Sequence, residues 1–131
     1  MPNKSIANEW LVLAKRNLDA AKILFKEKHS NDVIGIELHQ SIEKSLKAVP
    51  AFHNKTILKT HDLIVLLSNA EEFIQFDPDL NQLLETATDY YVENRYPGGD
   101  FNFLPSDKEI EKVIETADYI YNTVNEYINK Q

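Results

Sequence analysis

The sequence predicts an all-α protein, an antiparallel up-and-down helical bundle of four long helices plus one short helix. Three observations carry that expectation. Apolar residues recur at three- and four-residue steps in five separate stretches, the spacing that lines side chains along one face of a helix. Only three glycines and five prolines punctuate 131 residues, too few for a chain of short strands and tight turns. No stretch alternates apolar and polar residues as strongly as a half-buried strand would, and there is no internal repeat.

The first helix, expected over roughly residues 5 to 28, is drawn by Trp10, Leu13, Ala14, Leu18, Ala21, Leu24 and Phe25 on one face. In the polar break His29-Ser30-Asn31-Asp32, Ser30 is placed to cap the second helix by accepting a bond from one of its unpaired backbone N–H groups. That helix buries Ile34, Leu38, Ile42, Ser45 or Leu46, and Val49. It should end or kink at Pro50, which lacks an N–H and crowds the preceding turn. After the unpatterned stretch Phe52-His53-Asn54-Lys55-Thr56, Thr60 stands where an N-cap would precede a short third helix carrying Leu63, Leu66, Leu67, Ala70 and Phe73. Asp77-Pro78 pairs a capping residue with proline at the first helical position, and Leu80, Leu83, Leu84, Ala87 and Tyr91 carry a fourth helix to about Arg95. Pro97-Gly98-Gly99 stops it. Ser106-Asp107-Lys108-Glu109 then reads as a capping box opening the last helix. Its stripe is Ile110, Val113, Ile114, Ala117, Ile120, Tyr121, Val124 and Ile128, with Lys112, Glu115 and Asp118 on the wet side.

The length suits one domain over residues 1–131, able to bury roughly two-thirds of its unfolded surface. A formal charge of −7 repels polyanions and argues against a broad nucleic-acid surface, leaving room only for a local basic pocket. With no cysteine, neither disulfides nor thiolate metal sites can form. Lys4, Asn8, Glu9, Lys15 and Arg16 break up the apolar core a signal peptide needs, and no apolar run approaches the ~20 residues that span a bilayer. The expectation is a soluble, cytoplasmic protein with no membrane contact.

Metal and cofactor signatures are missing. His29, His39, His53 and His61 show no HExxH or similar spacing, and the sole glycine pair, Gly98-Gly99, follows a helix instead of opening one. No catalytic metal and no cofactor are therefore expected.

Three polar groups remain. On the second helix His39, Glu43 and Lys47 follow at four-residue steps, with Gln40 and Lys44 on the adjoining face. They read either as a ledge able to grip phosphate, a base or a partner's acidic residue, or as an ordinary solvated face; the solvated face is the simpler reading. In Thr60-His61-Asp62 the histidine and aspartate resemble a base with its orienting carboxylate. Adjacent residues on a helix do not face each other, however, so capping by Thr60, with Asp62 at the positive helix end and His61 turned into the bundle or along its surface, explains them better. At the close of the fourth helix Arg95 either complements the helix dipole or reaches into a cleft as an anion-binding fork beside the platform of Tyr96.

Taken in order, Trp10 with Ala14, the run His39-Gln40-Ser41-Ile42-Glu43-Lys44-Ser45-Leu46-Lys47-Ala48, Lys59-Thr60-His61-Asp62-Leu63 and Arg95-Tyr96-Pro97 resemble the bacterial and archaeal HEPN-domain proteins over nearly the whole chain. The resemblance implies an antiparallel helical bundle, commonly a homodimer, often paired with a minimal nucleotidyltransferase as a complex or toxin–antitoxin system, and a nucleotide-binding role. Many members are metal-independent ribonucleases, marked by an Arg followed four to six residues later by His. Here Arg95 is followed by Tyr96, Pro97, Gly98, Gly99, Asp100, Phe101 and Asn102, with no histidine. Pro50 is a second departure, since members usually continue an apolar helix there.

The leading expectation is thus a non-catalytic module binding a nucleotide or a minimal nucleotidyltransferase through His39, Gln40, Glu43, Lys44, Lys47, His61, Asp62, Arg95 and Tyr96. The alternatives are a ribonuclease toxin in which Arg95 acts on RNA with His39 or His61, and a purely structural assembly subunit.

Overall fold

In the computed structural model, which describes residues 1–90 and 104–130, the chain forms α1 (Lys4–Lys26), α2 (Asn31–Phe52), α3 (Leu63–Ala70), α4 (Leu80–Thr88) and α5 (Asp107–Asn129). The all-α bundle follows from the periodicity that foretold it, since one stripe of each helix supplies the core. Ala7, Leu11, Ala14, Leu18 and Ala21 line α1, while Ile110, Val113, Ala117, Ile120, Val124 and Ile128 line α5. α2 is different. It packs against all four other helices and buries 15 of its 22 residues, leaving little wet face.

The directions of the helices follow from their ties. α1 and α2 are antiparallel across the turn at residues 27–30. α5 runs alongside α2 in the same sense: Asn31 donates to the Pro105 carbonyl and Asp107 at the start of both helices, and His53 meets Tyr127 at their ends. α3 and α4 form a short antiparallel hairpin, closed where the Leu63 amide donates to Thr88 Oγ1 at 3.1 Å. Strict up-and-down alternation breaks once. The connector after α2 returns to mid-helix, where His61 meets Glu43, so α3 leaves in the direction of α2 and ends near His53, whose ring stacks on Phe73.

Several helix ends differ from the sequence expectations. Asp62, not Thr60, caps α3 by accepting from the amides of Ile64 and Val65; Thr60 Oγ1 instead accepts from the Asp62 amide at 3.1 Å. Ser30 is the N-cap of α2, but its hydroxyl bonds Asp32 instead of an amide. α4 starts at Leu80 behind Asp79, while Asp77 accepts from the Asp79 amide in a local turn, so Pro78 precedes the helix. α4 closes at Thr88, short of the expected stop at Arg95, and the readings of Tyr91, Arg95, Tyr96 and Pro97-Gly98-Gly99 lie outside the described residues. Pro50 sits inside α2, which ends two residues later; in the last turn little helix remains to be disrupted. Ser106 caps α5 as expected, accepting from the Glu109 amide at 3.1 Å.

Candidate functional site

The polar stripe of α2 is buried. His39 is fully enclosed, Glu43 is 6% exposed and Lys47 8% exposed, so the solvated-face reading of these three residues is overturned. The reason lies outside the helix: with partners on every side, α2 has to turn even its i, i+4 polar row toward a neighbour. That neighbour is the connector leading into α3.

Glu43 is the centre. Its Oε2 accepts from Lys47 Nζ at 2.8 Å, and its Oε1 accepts from His61 Nδ1 at 3.0 Å, with His39 Nδ1 at 3.5 Å. His39 spans to the same connector through Nε2, which donates to the His61 carbonyl at 2.8 Å. The tautomer is thereby fixed, because a carbonyl can only accept. Burial pushes the His39 imidazole below its ordinary pKa, favouring the neutral ring. For Glu43 burial alone would raise the pKa, but the hydrogen bonds from His61 and Lys47 outweigh it and hold the carboxyl below its usual value. The site is thus a buried carboxylate with a lysine on one oxygen and a half-exposed histidine on the other.

A histidine–carboxylate pair does exist at His61, yet its carboxylate is Glu43, eighteen residues upstream, and Asp62 is occupied with capping. Such a pair orients the imidazole and selects its tautomer, the arrangement that positions a general base or a hydrogen-bonding edge. Of the remaining ledge residues, Lys44 donates to Asn17 Oδ1 at 2.8 Å, and Asn17 in turn donates to Glu37 at 2.9 Å, tying α2 to α1. Gln40 is half-buried. Arg95 and Tyr96 lie outside the described residues. Asn17 was not singled out from sequence; its only signal was a polar side chain on the border of the apolar stripe of α1.

Among the described residues no three histidine or carboxylate side chains converge to hold a metal ion, and no helix is long and apolar enough to cross a membrane.

This order of elements and this α2–α3 polar junction are set in a chain whose residues 7–127 match the HEPN domain family. The chain belongs to the HEPN family. The fold is shared with TT1696 from Thermus thermophilus, with a TM-score of 0.77 at 23% identity over 92% of this chain and 96% of that one. It is shared also with ST0689, an archaeal HEPN homologue, with a TM-score of 0.73 at 20% identity over 94% of this chain and 98% of the other. No curated protein matches the sequence. At these identities the two structures speak to the HEPN fold alone.

Proposed function

We propose that this HEPN domain is a non-catalytic recognition module, a homodimer in the cytoplasm that docks a protein partner of the minimal nucleotidyltransferase type in a toxin–antitoxin-like pair. One observation carries the choice of a partner over a polyanion: the hydrogen-bond donors of the polar cluster are already engaged. Lys47 and His61 both donate to Glu43, and Lys44 donates to Asn17. A phosphate chain would have to compete with a buried carboxylate for the same donors, against a net charge of −7. A protein surface needs no such surrender. It can approach the exposed side chains of His61 and Asp62 without displacing those bonds. Co-purification with a minimal nucleotidyltransferase, and calorimetric titration with ATP, test the reading: a stoichiometric complex weakened by His61→Ala is expected, with nucleotide binding weak. Tight nucleotide binding with no protein complex would overturn the preference for a partner, and silence in both assays would leave a purely structural subunit.

A second reading has its own support. The 3.0 Å contact between Glu43 and His61 is the geometry of an oriented acid–base imidazole, which favours a metal-independent ribonuclease in which His61 acts with Arg95. It predicts RNA cleavage in the presence of chelator, abolished separately by His61→Ala and Arg95→Ala. Purified protein inert on structured and unstructured RNA would remove it.

A further inference from the structure

The outward side of α1 is unlike the outward sides of the other helices. Among the described residues, four of the eight exposed large hydrophobics lie on this one helix: Ile6 at 37%, Val12 at 50%, Leu13 at 40% and Ile23 at 62%. Scattered exposed aliphatics are ordinary, but Val12 and Leu13 together line a shallow, largely apolar groove with Ser5, Asn8 and Glu9. The groove is bounded along the helix by two charges of opposite sign, Glu9 before Val12 and Arg16 after Leu13. Both are exposed, and among the described residues neither takes part in an ion pair. They cannot neutralise each other within one helix, since seven residues separate them by about 10 Å along the axis.

That order of residues is self-complementary. Turned end over end about an axis crossing between residues 12 and 13, the face meets its own copy with Val12 on Val12 and Leu13 on Leu13. Glu9 then opposes Arg16 of the second copy, and Arg16 opposes that copy's Glu9. One turn farther out the small residues Ser5 and Ala20 come opposite each other, which lets the two backbones approach. The antiparallel arrangement also sets the two helix dipoles in opposite senses. A two-fold contact of this kind repeats every favourable pair twice, and repeats every unfavourable one twice as well.

We propose that the outer face of α1 is a homodimer interface, an antiparallel α1–α1 pair centred between Val12 and Leu13 and registered by reciprocal Glu9–Arg16 ion pairs. The proposal rests on the dimer reading above and adds the surface that makes it. The Glu43 cluster hangs from α2 and the α3 connector, away from the α1 residues of this interface.

Charge exchange tests it on the full chain. Sedimentation equilibrium should show a wild-type dimer. Arg16→Glu and Glu9→Arg should each weaken dimerisation at least about tenfold, because each sets two like-charge pairs face to face. The double exchange, Glu9→Arg with Arg16→Glu, should restore dimerisation to near the wild-type level by reversing the pairs. Circular dichroism on every variant checks that these exposed changes leave the helices intact. A monomeric wild type would overturn both this interface and the dimer reading. A dimer indifferent to the single exchanges would overturn the interface and leave the dimer reading standing. Weakening without rescue would overturn the Glu9–Arg16 register.

Discussion

The inner stripe of α2 and the outer face of α1 invert the usual placement of polar and apolar residues. α2 hides a histidine, a glutamate and a lysine, whereas α1 shows solvent a valine, two isoleucines and a leucine. The cause is position in the bundle. α2 touches every other helix, so its polar row had to find partners within the protein; among the described helices α1 packs on α2 and α5 alone, so one side of it faces away from the bundle. Polar groups enclosed in this way are held by mutual pairing, and apolar groups left out in this way point to association. The two helices differ, then, in whether the compensating partner is internal or external.

The largest expected effect tests the internal half. Glu43→Ala leaves Lys47 buried without its carboxylate and removes the acceptor of His61, so unfolding free energy should fall by about 3–5 kcal/mol in chemical denaturation. A loss below about 1 kcal/mol, the size of an exposed pair, would mean the cluster is wet and the contrast with α1 is void. The buried pair need not be a net source of stability: Glu43→Leu combined with Lys47→Met should cost much less than Glu43→Ala, because no charge is stranded. Next comes a calibration of α1 itself. Leu11 is 2% exposed and Leu13 40%, so Leu11→Ala should cost about 2–5 kcal/mol, far more than the same change at residue 13.

pH sharpens the comparison with a smaller effect. His39 has a folded pKa below its ordinary 6.5, so the unfolded chain takes up a proton first as pH falls, and stability declines from that point down toward the folded value. Glu43 has a folded pKa below its ordinary 4.5; its contribution is complete above that pH and is lost as pH falls through the folded value. Both losses run in the same direction, the histidine first. Denaturation midpoints measured between neutral and mildly acidic pH should fall in the wild type and fall less in His39→Gln, whereas charge exchanges at Glu9 and Arg16 should leave the slope unchanged.

Much of this fold could be read from the sequence, because helical periodicity is local. The stripe of α5 and the Ser106 cap formed as their spacing required. Leu13 shows where local reading stops. Its spacing to Trp10, Ala14 and Leu24 fits a stripe, yet the buried row of α1 is centred on Ala7, Leu11, Ala14, Leu18 and Ala21, one step around the helix, because alanines let α2 come close. The candidate site was legible as a set of residues and not as an arrangement. His39, Glu43 and Lys47 have the spacing of a wet ion-paired face, and only the return of the connector, which brings His61 onto Glu43, makes them a buried cluster. That return depends on contacts between residues far apart in the chain, for which a sequence carries no period. Asp62 was likewise singled out beside His61, but its work as the cap of α3 depended on where the connector ends.

The smallest expected effect on stability is the one that tests the external half. Leu13→Ser removes an exposed side chain that touches the core little, so a monomer at high dilution should change by no more than about 0.5 kcal/mol. If the α1 face is covered by a second copy, the same substitution acts through association. The wild-type melting temperature should then rise with protein concentration, because only the folded state dimerises, and that rise should flatten in Leu13→Ser. Scanning calorimetry over a wide concentration range separates the two. A melting temperature independent of concentration in the wild type would show that nothing of this chain covers the aliphatics of α1. A large loss in the dilute monomer would show instead that Leu13 belongs to the core after all, and the inversion between the two helices would reduce to the buried ions of α2.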